Sequence, residues 1–300
     1  MSDVVAGLQP DSNQRRDRAS FSQKLACWWM IFRIALEEKL AYRGDFALGT
    51  LMRFLPIITQ IFLWWAIFES VAASSGENTR DALLVGYSFP DMVAYYLLSM
   101  LGRAFSSMPG LAASTAKQIR EGEIKKYLIQ PIDMIGFLLL GRAAHKVAYY
   151  TIATLPFALV FFLCRDYFVG GWPSYSVMAG FIVSLIFAFL LGYFLDLCIG
   201  LIGFWFLEVS SLLFVYMLLN FFLSGHMFPL DLLPEPFRSM VALLPFQYMA
   251  YFPAAIFLGK IPEDQVWTQI AIEGLWVIGL IFLAKFLYAR GVRRYSGFGG

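Results

Sequence analysis

Six apolar stretches, residues 46–71, 92–114, 136–164, 177–205, 210–228 and 266–288, constrain this chain more than any other feature of its sequence. Together they span 149 of the 300 residues and hold only eight of the 44 charged side chains. A hydrocarbon core roughly 30 Å thick takes about 20 consecutive apolar residues as a helix, and each stretch meets that length within the usual tolerance. Lipid offers the backbone no hydrogen bonds, so helices that pair their own N–H and C=O groups are the form such stretches take. The sequence therefore predicts an all-α integral membrane protein with six transmembrane helices. A mean hydropathy of +0.66, with 59% hydrophobic and 15% charged residues, excludes the soluble enzyme classes. A net charge of +2 gives no electrostatic case for a nucleic-acid partner. Cys27, Cys164 and Cys198 are far apart without metal-ligand spacing and read as small hydrophobes.

Residues 1–19 are expected to form a disordered polar tail ending in Arg15, Arg16 and Arg18, with no apolar core of a signal peptide. Residues 20–44 repeat Leu25, Trp28, Trp29, Phe32, Leu36 and Leu40 at helical spacing. Lys24, Arg33, Glu37, Glu38 and Lys39 interrupt them too often for a spanning helix. An amphipathic helix lying in the membrane interface fits that pattern. The six-helix domain then occupies 45–290, and residues 291–300 form a basic tail. With the N-terminus inside, the inner segments carry fourteen Lys and Arg residues and the outer segments four. The positive-inside rule accordingly places both termini in the cytoplasm. The apolar run 240–259 is long enough to mimic a seventh span, but Pro245 and Pro253 would break a helix interior. Two short helices dipping back from the outer surface satisfy both the prolines and the charge count.

Two connecting segments are candidates for function. The loop 115–134 alternates charges with apolar residues and carries Glu121, Glu123, Lys125, Lys126, Tyr127 and Leu128, with Gly122 permitting a helix break. It suits docking in a partner's groove, and equally a solvated loop that orients the chain by its charge. The segment 224–260 contains Pro229, Pro234, Pro236, Pro245 and Pro253. Those fixed bends fit either a hairpin sealing the outer face or an extracellular gate.

Polar groups inside the apolar stretches are costly and therefore candidates in their own right. Arg142, His145 and Lys146 occupy one helical side near the inner end of the third stretch. Snorkelling to the headgroups and a basic vestibule for an anionic substrate both fit them. Arg103 and Asp196 sit deep within separate stretches, where an internal ion pair would offset both desolvation costs. Asn220 is the interior amide of the fifth stretch, suited to a dimer contact or a path lining. No H-x-x-x-H or comparable spacing points to a metal. A lipid-modifying intramembrane enzyme would want these groups clustered, and they are scattered; a secondary carrier would favour inverted repeats, and none is evident.

The order of parts resembles the membrane subunit of ABC transporters of the ABC-2 exporter type: interfacial helix, two spans, charged loop, three spans, Pro-rich re-entrant segment and final span. GEIKKYLIQPID (122–133), SGHMFPLDLLPE (224–235) and LPFQYMAYFPAAIFLGK (244–260) are similar to a bacterial subgroup described as ABC-2 family transporter proteins. The resemblance implies that residues 117–130 are the coupling helix that meets the ATPase subunit. It also implies that 21–43 are a connector helix, and that 229–262, with Pro229, Pro234, Pro245, Phe246 and Pro253, are the extracellular gate. It further implies an exporter of an amphipathic, lipid-like or drug-like molecule in the bacterial inner membrane. No G-x-x-x-x-G-K-[ST] occurs in the chain, so ATP and Mg are expected in a partner ATPase chain, with no cofactor bound here. Such ATPases act as pairs, so a second permease copy or a related chain is expected beside this one, with membrane lipids around both.

Overall fold

The computed structural model describes residues 21–295 except 42, 77, 80, 81, 131 and 207. The expected polar tail at 1–19 and the last five residues of the basic tail lie outside the described residues, as does Pro131. All described regular structure is helical apart from one bridge between Leu84 and Tyr87. The helices are α1 Phe21–Ala41, α2 Arg43–Ser75, α3 Phe89–Ser106, α4 Leu111–Arg120, α5 Lys125–Ile129 and α6 Met134–Leu163. They continue as α7 Tyr175–Leu201, α8 Ser210–Leu223, α9 Glu235–Ala242, α10 Tyr251–Phe257 and α11 Glu263–Arg294.

Local chemistry sets these boundaries. Ser88 and Asp91 form a reciprocal capping box at the start of α3, with Pro90 in its first turn. Asp133 caps α6 by accepting from the Gly136 N–H at 2.7 Å, and Ser174 caps α7 at the Val177 N–H. Glu263 and Asp264 open α11 and Arg293 and Arg294 close it, each matched to the helix dipole.

Among the described residues, four segments are long and apolar enough to cross a membrane: Leu55–Ser74, Met134–Leu163, Tyr175–Phe204 and Glu263–Arg294. The stretches 92–114 and 210–228, expected as uninterrupted spans, take another form. The first breaks after Ser106, because Ser107 is extended and Pro109 can neither donate an N–H nor let its predecessor stay helical with ease. The helix resumes at Leu111. In the second, α8 is 14 residues long and stops at Leu223, where Ser224 and Gly225 turn the chain.

The main core joins α3, α4, α7, α10 and α11, with Tyr95, Leu111, Leu191, Tyr193 and Tyr248 almost fully enclosed. A second core fastens α2 to the first half of α3 through Phe68, Tyr87, Met92 and Leu97. One end of the bundle carries α1 and the α4–α5 turn; the other carries α9 and α10. The amphipathic α1 lies against the start of α6, where the Trp28 ring stands so close to Gly136 that a Cβ there would meet it at 3.0 Å.

Candidate functional site

The break between α3 and α4 is the centre of the arrangement. Interrupting a helix frees carbonyls that no backbone N–H reaches, and in hydrocarbon each must find another donor. Two cations from α6 supply them. The Lys146 ammonium donates to Ala104 O at 2.5 Å and to Ser107 O at 2.7 Å, and the Arg142 guanidinium donates to Pro109 O at 3.0 Å. These side chains turn inward onto the broken helix, a set of partners the sequence did not suggest. The reason is the break itself, which no helical-wheel reading of α6 could anticipate. His145, between them, is half-buried on α6.

Small residues of α7 seat the other side of the break. A Cβ at Gly192 would lie 1.8 Å from Ser106 O, and one at Gly200 would lie 2.8 Å from Ala112 O. α4 is therefore held directly on α7, backbone against backbone, on its way to the α4–α5 turn.

Beside the break lies a cavity of about 630 Å³, lined by Arg103, Asp196, Tyr216, Asn220, His226 and Ala250 among others. It gathers three of the polar residues that the sequence scattered over separate helices. Arg103 and Asp196 share this space through different neighbours. The Tyr216 hydroxyl donates to Asp196 Oδ1 at 2.6 Å, while the Arg103 guanidinium lies over the Phe221 ring at 5.5 Å. Ion pairs among the described residues include none between Arg103 and Asp196. A second cavity of about 470 Å³, reaching Met52 and Pro56 of α2 and Phe157 of α6, shares Arg103, Ser107, Pro109 and His226 with the first.

The proline-rich segment closes one side of that space. Its innermost residues, Met249 and Ala250, approach Gly102 so closely that a Cβ there would meet Ala250 Cα at 3.1 Å. At roughly 1.5 Å per residue, that point lies about 20 Å along α3 from its start at Phe89. Pro229 precedes the short turn 230–232, Pro234 precedes α9, Pro245 opens the 3-10 turn 245–249, and Pro253 is buried within α10. Phe246 meets the Tyr216 ring at 6.3 Å, so the segment touches the residue that holds Asp196.

The segment is tied down by Asp231, which sequence reasoning passed over. Tyr87 and Tyr251 donate to Asp231 Oδ2 at 2.7 and 2.8 Å, and Arg238 pairs with Oδ1 at 2.8 Å. Burial first, then Tyr251 and Asp231 beside it, hold the Tyr87 phenol well above its ordinary pKa, so it serves as a donor. Lys260 adds a bond to Asp91 at 2.9 Å and another to Gly86 O at 2.9 Å. An acid inside the apolar, proline-flanked run FPLDLLPEP was the available sign.

At the other end, Glu121, Gly122 and Glu123 form the turn between α4 and α5. Gly122 takes φ +80°, a left-handed conformation that the turn requires and glycine adopts without strain. Lys117 and Glu121 pair at 3.9 Å, Lys126 and Glu123 at 3.8 Å, and Arg120 reaches Glu208 at 3.8 Å. Lys125 begins α5 and is exposed. Tyr127 faces inward against Phe137 and is buried, whereas Leu128 and Ile129 are exposed, Ile129 at 82%. The exposed apolar face of this turn is thus Leu128 and Ile129. The Tyr295 hydroxyl stands over Gly122 and its ring meets Phe204, tying the end of α11 to the same turn.

A search of curated proteins found no match. The family profile described as ABC-2 family transporter protein matches residues 54–299, from α2 through α11 and beyond it. That match covers the broken helix, its clamps, the proline-rich segment and the cavity linings other than Met52. The chain belongs to the ABC-2 family of transporter proteins.

Proposed function

We propose that the chain is the permease subunit of an ATP-driven exporter, moved by a separate ABC ATPase through the α4–α5 turn. ABC-2 permeases normally pair with such a subunit. The observation that carries this reading is the continuity of α5, α4, the break and α7. An exposed apolar tip ends in a helix seated on α7, and α7 supplies Asp196 to the cavity. A push on Leu128 and Ile129 would reach the cavity through packed backbone rather than through a loop.

In this reading the chain crosses the membrane six times, with α3–α4 and α8 completing the four long spans, and α1 lies in the interface as a connector. Both termini and the α4–α5 turn are in the cytoplasm, in keeping with the fourteen-to-four bias of basic residues. The segment 229–262 is the outer gate, latched by Asp231. Two permease chains enclose the path, which alternates in access as the ATPase pair closes and opens. α8 favours that pairing, since Tyr216 is its buried residue while Phe214, Met217, Leu218 and Phe222 are exposed.

The test is co-expression of the tagged chain with the ABC ATPases of its own genome. One of them is expected to co-purify, and Leu128→Asp with Ile129→Asp is expected to release it while the chain stays monodisperse. A chain that retains no ATPase, or a double variant that retains it in full, overturns the assignment.

A further inference from the structure

Among the described residues, Glu273 of α11 is the one charged side chain that is completely buried, at 0% exposure. The docking turn, the broken helix and the Asp231 anchor make no use of it. We propose that Glu273 is a proton-binding site, which holds its proton while the 245–249 turn covers it and releases it when that turn lifts. The site itself stands on packing alone. Its place in transport rests on the permease reading, in which the proline-rich segment is the gate.

The surroundings offer an ionised carboxyl group nothing. Neither Glu273 Oε1 nor Oε2 has a hydrogen-bond partner, and no charge of a described residue acts on the group. It lies ten residues, roughly 15 Å, beyond the start of α11 at Glu263. Ile270 and Val277 flank it on the same helix, and Phe181 and Leu185 of α7 belong to the same apolar core. An unpaired carboxylate in such a place is costly enough that the group takes up a proton instead. The contact is also too tight for a metal ion. A Cβ at Gly274 would meet the Phe187 ring at 3.3 Å, and one at Gly180 would lie 2.8 Å from Val266. A hard cation takes about six oxygen ligands, and the described residues include no group of three or more metal-type side chains.

A proton completes the site. Ser184 of α7 faces Glu273, is itself at 0% exposure, and has a hydroxyl without a partner. Protonation gives the carboxyl group an O–H donor, and Ser184 Oγ is the acceptor in front of it. One proton therefore answers a carboxyl oxygen and a hydroxyl together, across the contact between α7 and α11.

Few other groups could share the titration. The 245–249 turn contributes Tyr248, which is 2% exposed and within electrostatic reach of Glu273. On α7 the nearest titratable side chains, Tyr175 and Tyr193, lie more than two turns from Ser184 in either direction. On α11 itself, Asp264 and Lys285 are more than two and three turns away. The turn 202–204, which also packs on α11, carries no titratable group. Tyr248 thus couples the acid to the proline-rich segment. With the turn in place the proton is bound; with the turn lifted, water reaches the carboxyl group and the proton leaves. Each rise in pH accordingly favours the lifted form, by up to about tenfold per pH unit for one proton.

The experiment uses the purified full chain in a non-ionic detergent, without any ATPase, in two measurements. Amide hydrogen exchange across 245–258 is followed between about pH 6 and pH 8 and corrected for the intrinsic rate at each pH. Protection is expected to fall at least tenfold over that range in the natural chain. Glu273→Gln, which keeps a neutral group of the same shape, is expected to hold its protection constant. Infrared spectroscopy at pH 7 then reads the proton directly. The carbonyl stretch of a neutral carboxylic acid is expected in the natural chain and absent from Glu273→Gln. Ser184→Ala, which removes the acceptor, is expected to move that stretch to higher frequency, giving a second readout if Glu273→Gln does not fold. A folded Glu273→Gln that keeps the full pH response overturns the proposal. So does a neutral-acid stretch that is missing from the natural chain or unmoved in Ser184→Ala. Because no ATPase takes part, these outcomes decide the proton site alone, and failure to retain an ATPase decides the permease reading alone.

Discussion

A lysine ammonium that reaches two main-chain carbonyls inside a membrane replaces hydrogen bonds that the helix has lost. Removing it strands acceptors where water cannot serve them, at a cost of about 1–3 kcal/mol for each group left unpaired. Lys146→Met should therefore lower the thermal stability of the detergent-solubilised chain well beyond an apolar exchange on the lipid face such as Leu155→Met. Lys146→Arg should recover most of the loss, since a guanidinium also reaches two acceptors. Differential scanning fluorimetry on the three variants checks both statements. Gly192 makes the complementary case from the α7 side. A methyl group there would sit 1.8 Å from Ser106 O, which belongs to a backbone clamped on its far side by Lys146. Neither neighbour can yield, so Gly192→Ala should cost about 1–3 kcal/mol of overpacking strain or more. Ala188→Gly, one turn away and fully buried, tests the opposite direction, and only a loss confined to Gly192 supports the close-approach argument.

At the level of elements, the proline-rich segment behaves as a plug hung from one acid. Asp231 gathers two tyrosines and an arginine from the α2–α3 connection, α10 and α9, and it is 13% exposed. A charged acceptor with three donors, largely shielded from water, contributes more than a surface ion pair. Asp231→Ala should raise amide hydrogen exchange across 226–245 while leaving the middle of α7 protected. Asp231→Asn should do so less, because an amide oxygen still accepts from both tyrosines although the pairing with Arg238 is lost. If the two variants exchange alike, the ion pair rather than the tyrosines holds the segment. The sequence supplied the prolines that bend this segment but not its anchor, since nothing local distinguishes Asp231 from an ordinary turn acid. The same holds for Tyr127, whose place in the amphipathic repeat suggested a docking contact. Only the fold of α5 against α6 shows that Tyr127 packs inward on Phe137 and leaves the exposed role to Ile129.

At the scale of the whole molecule, the described residues of α1, α2, α6, α8 and α11 all expose large apolar side chains. α2 exposes Leu55, Ile58, Phe62 and Leu63, and α8 exposes Phe214, Met217, Leu218 and Phe222, whereas α3 is buried along most of its length. Lipid covers apolar surface as readily as protein does, so exposure alone does not make an interface. The polar cavity beside α8 does argue for one, because a membrane-depth space lined by Arg103 and Asp196 is best sealed by protein. Leu218→Arg is accordingly expected to shift the purified chain from dimer to monomer in light scattering. Ile186→Arg, on an exposed site of α7, is expected to leave the dimer intact.

The membrane class, the long spans and the charged turn were legible because they follow from quantities summed along the chain: apolar length against bilayer thickness, charge against position, proline against helix continuity. The site was legible only as a set of expensive residues, Arg103, Arg142 with Lys146, Asp196 and Asn220, spread over four stretches. What joined them was the interruption of α3, which gave Lys146 and Arg142 three carbonyls as partners and lies beside a cavity lined by Arg103 and Asp196. Hydropathy sums over 92–114 as though it were one helix, and cannot register that four residues within it leave the helical form. Where a broken backbone finds its missing hydrogen bonds depends on which side chains other helices bring within 3 Å, and that is a property of packing rather than of order along the chain.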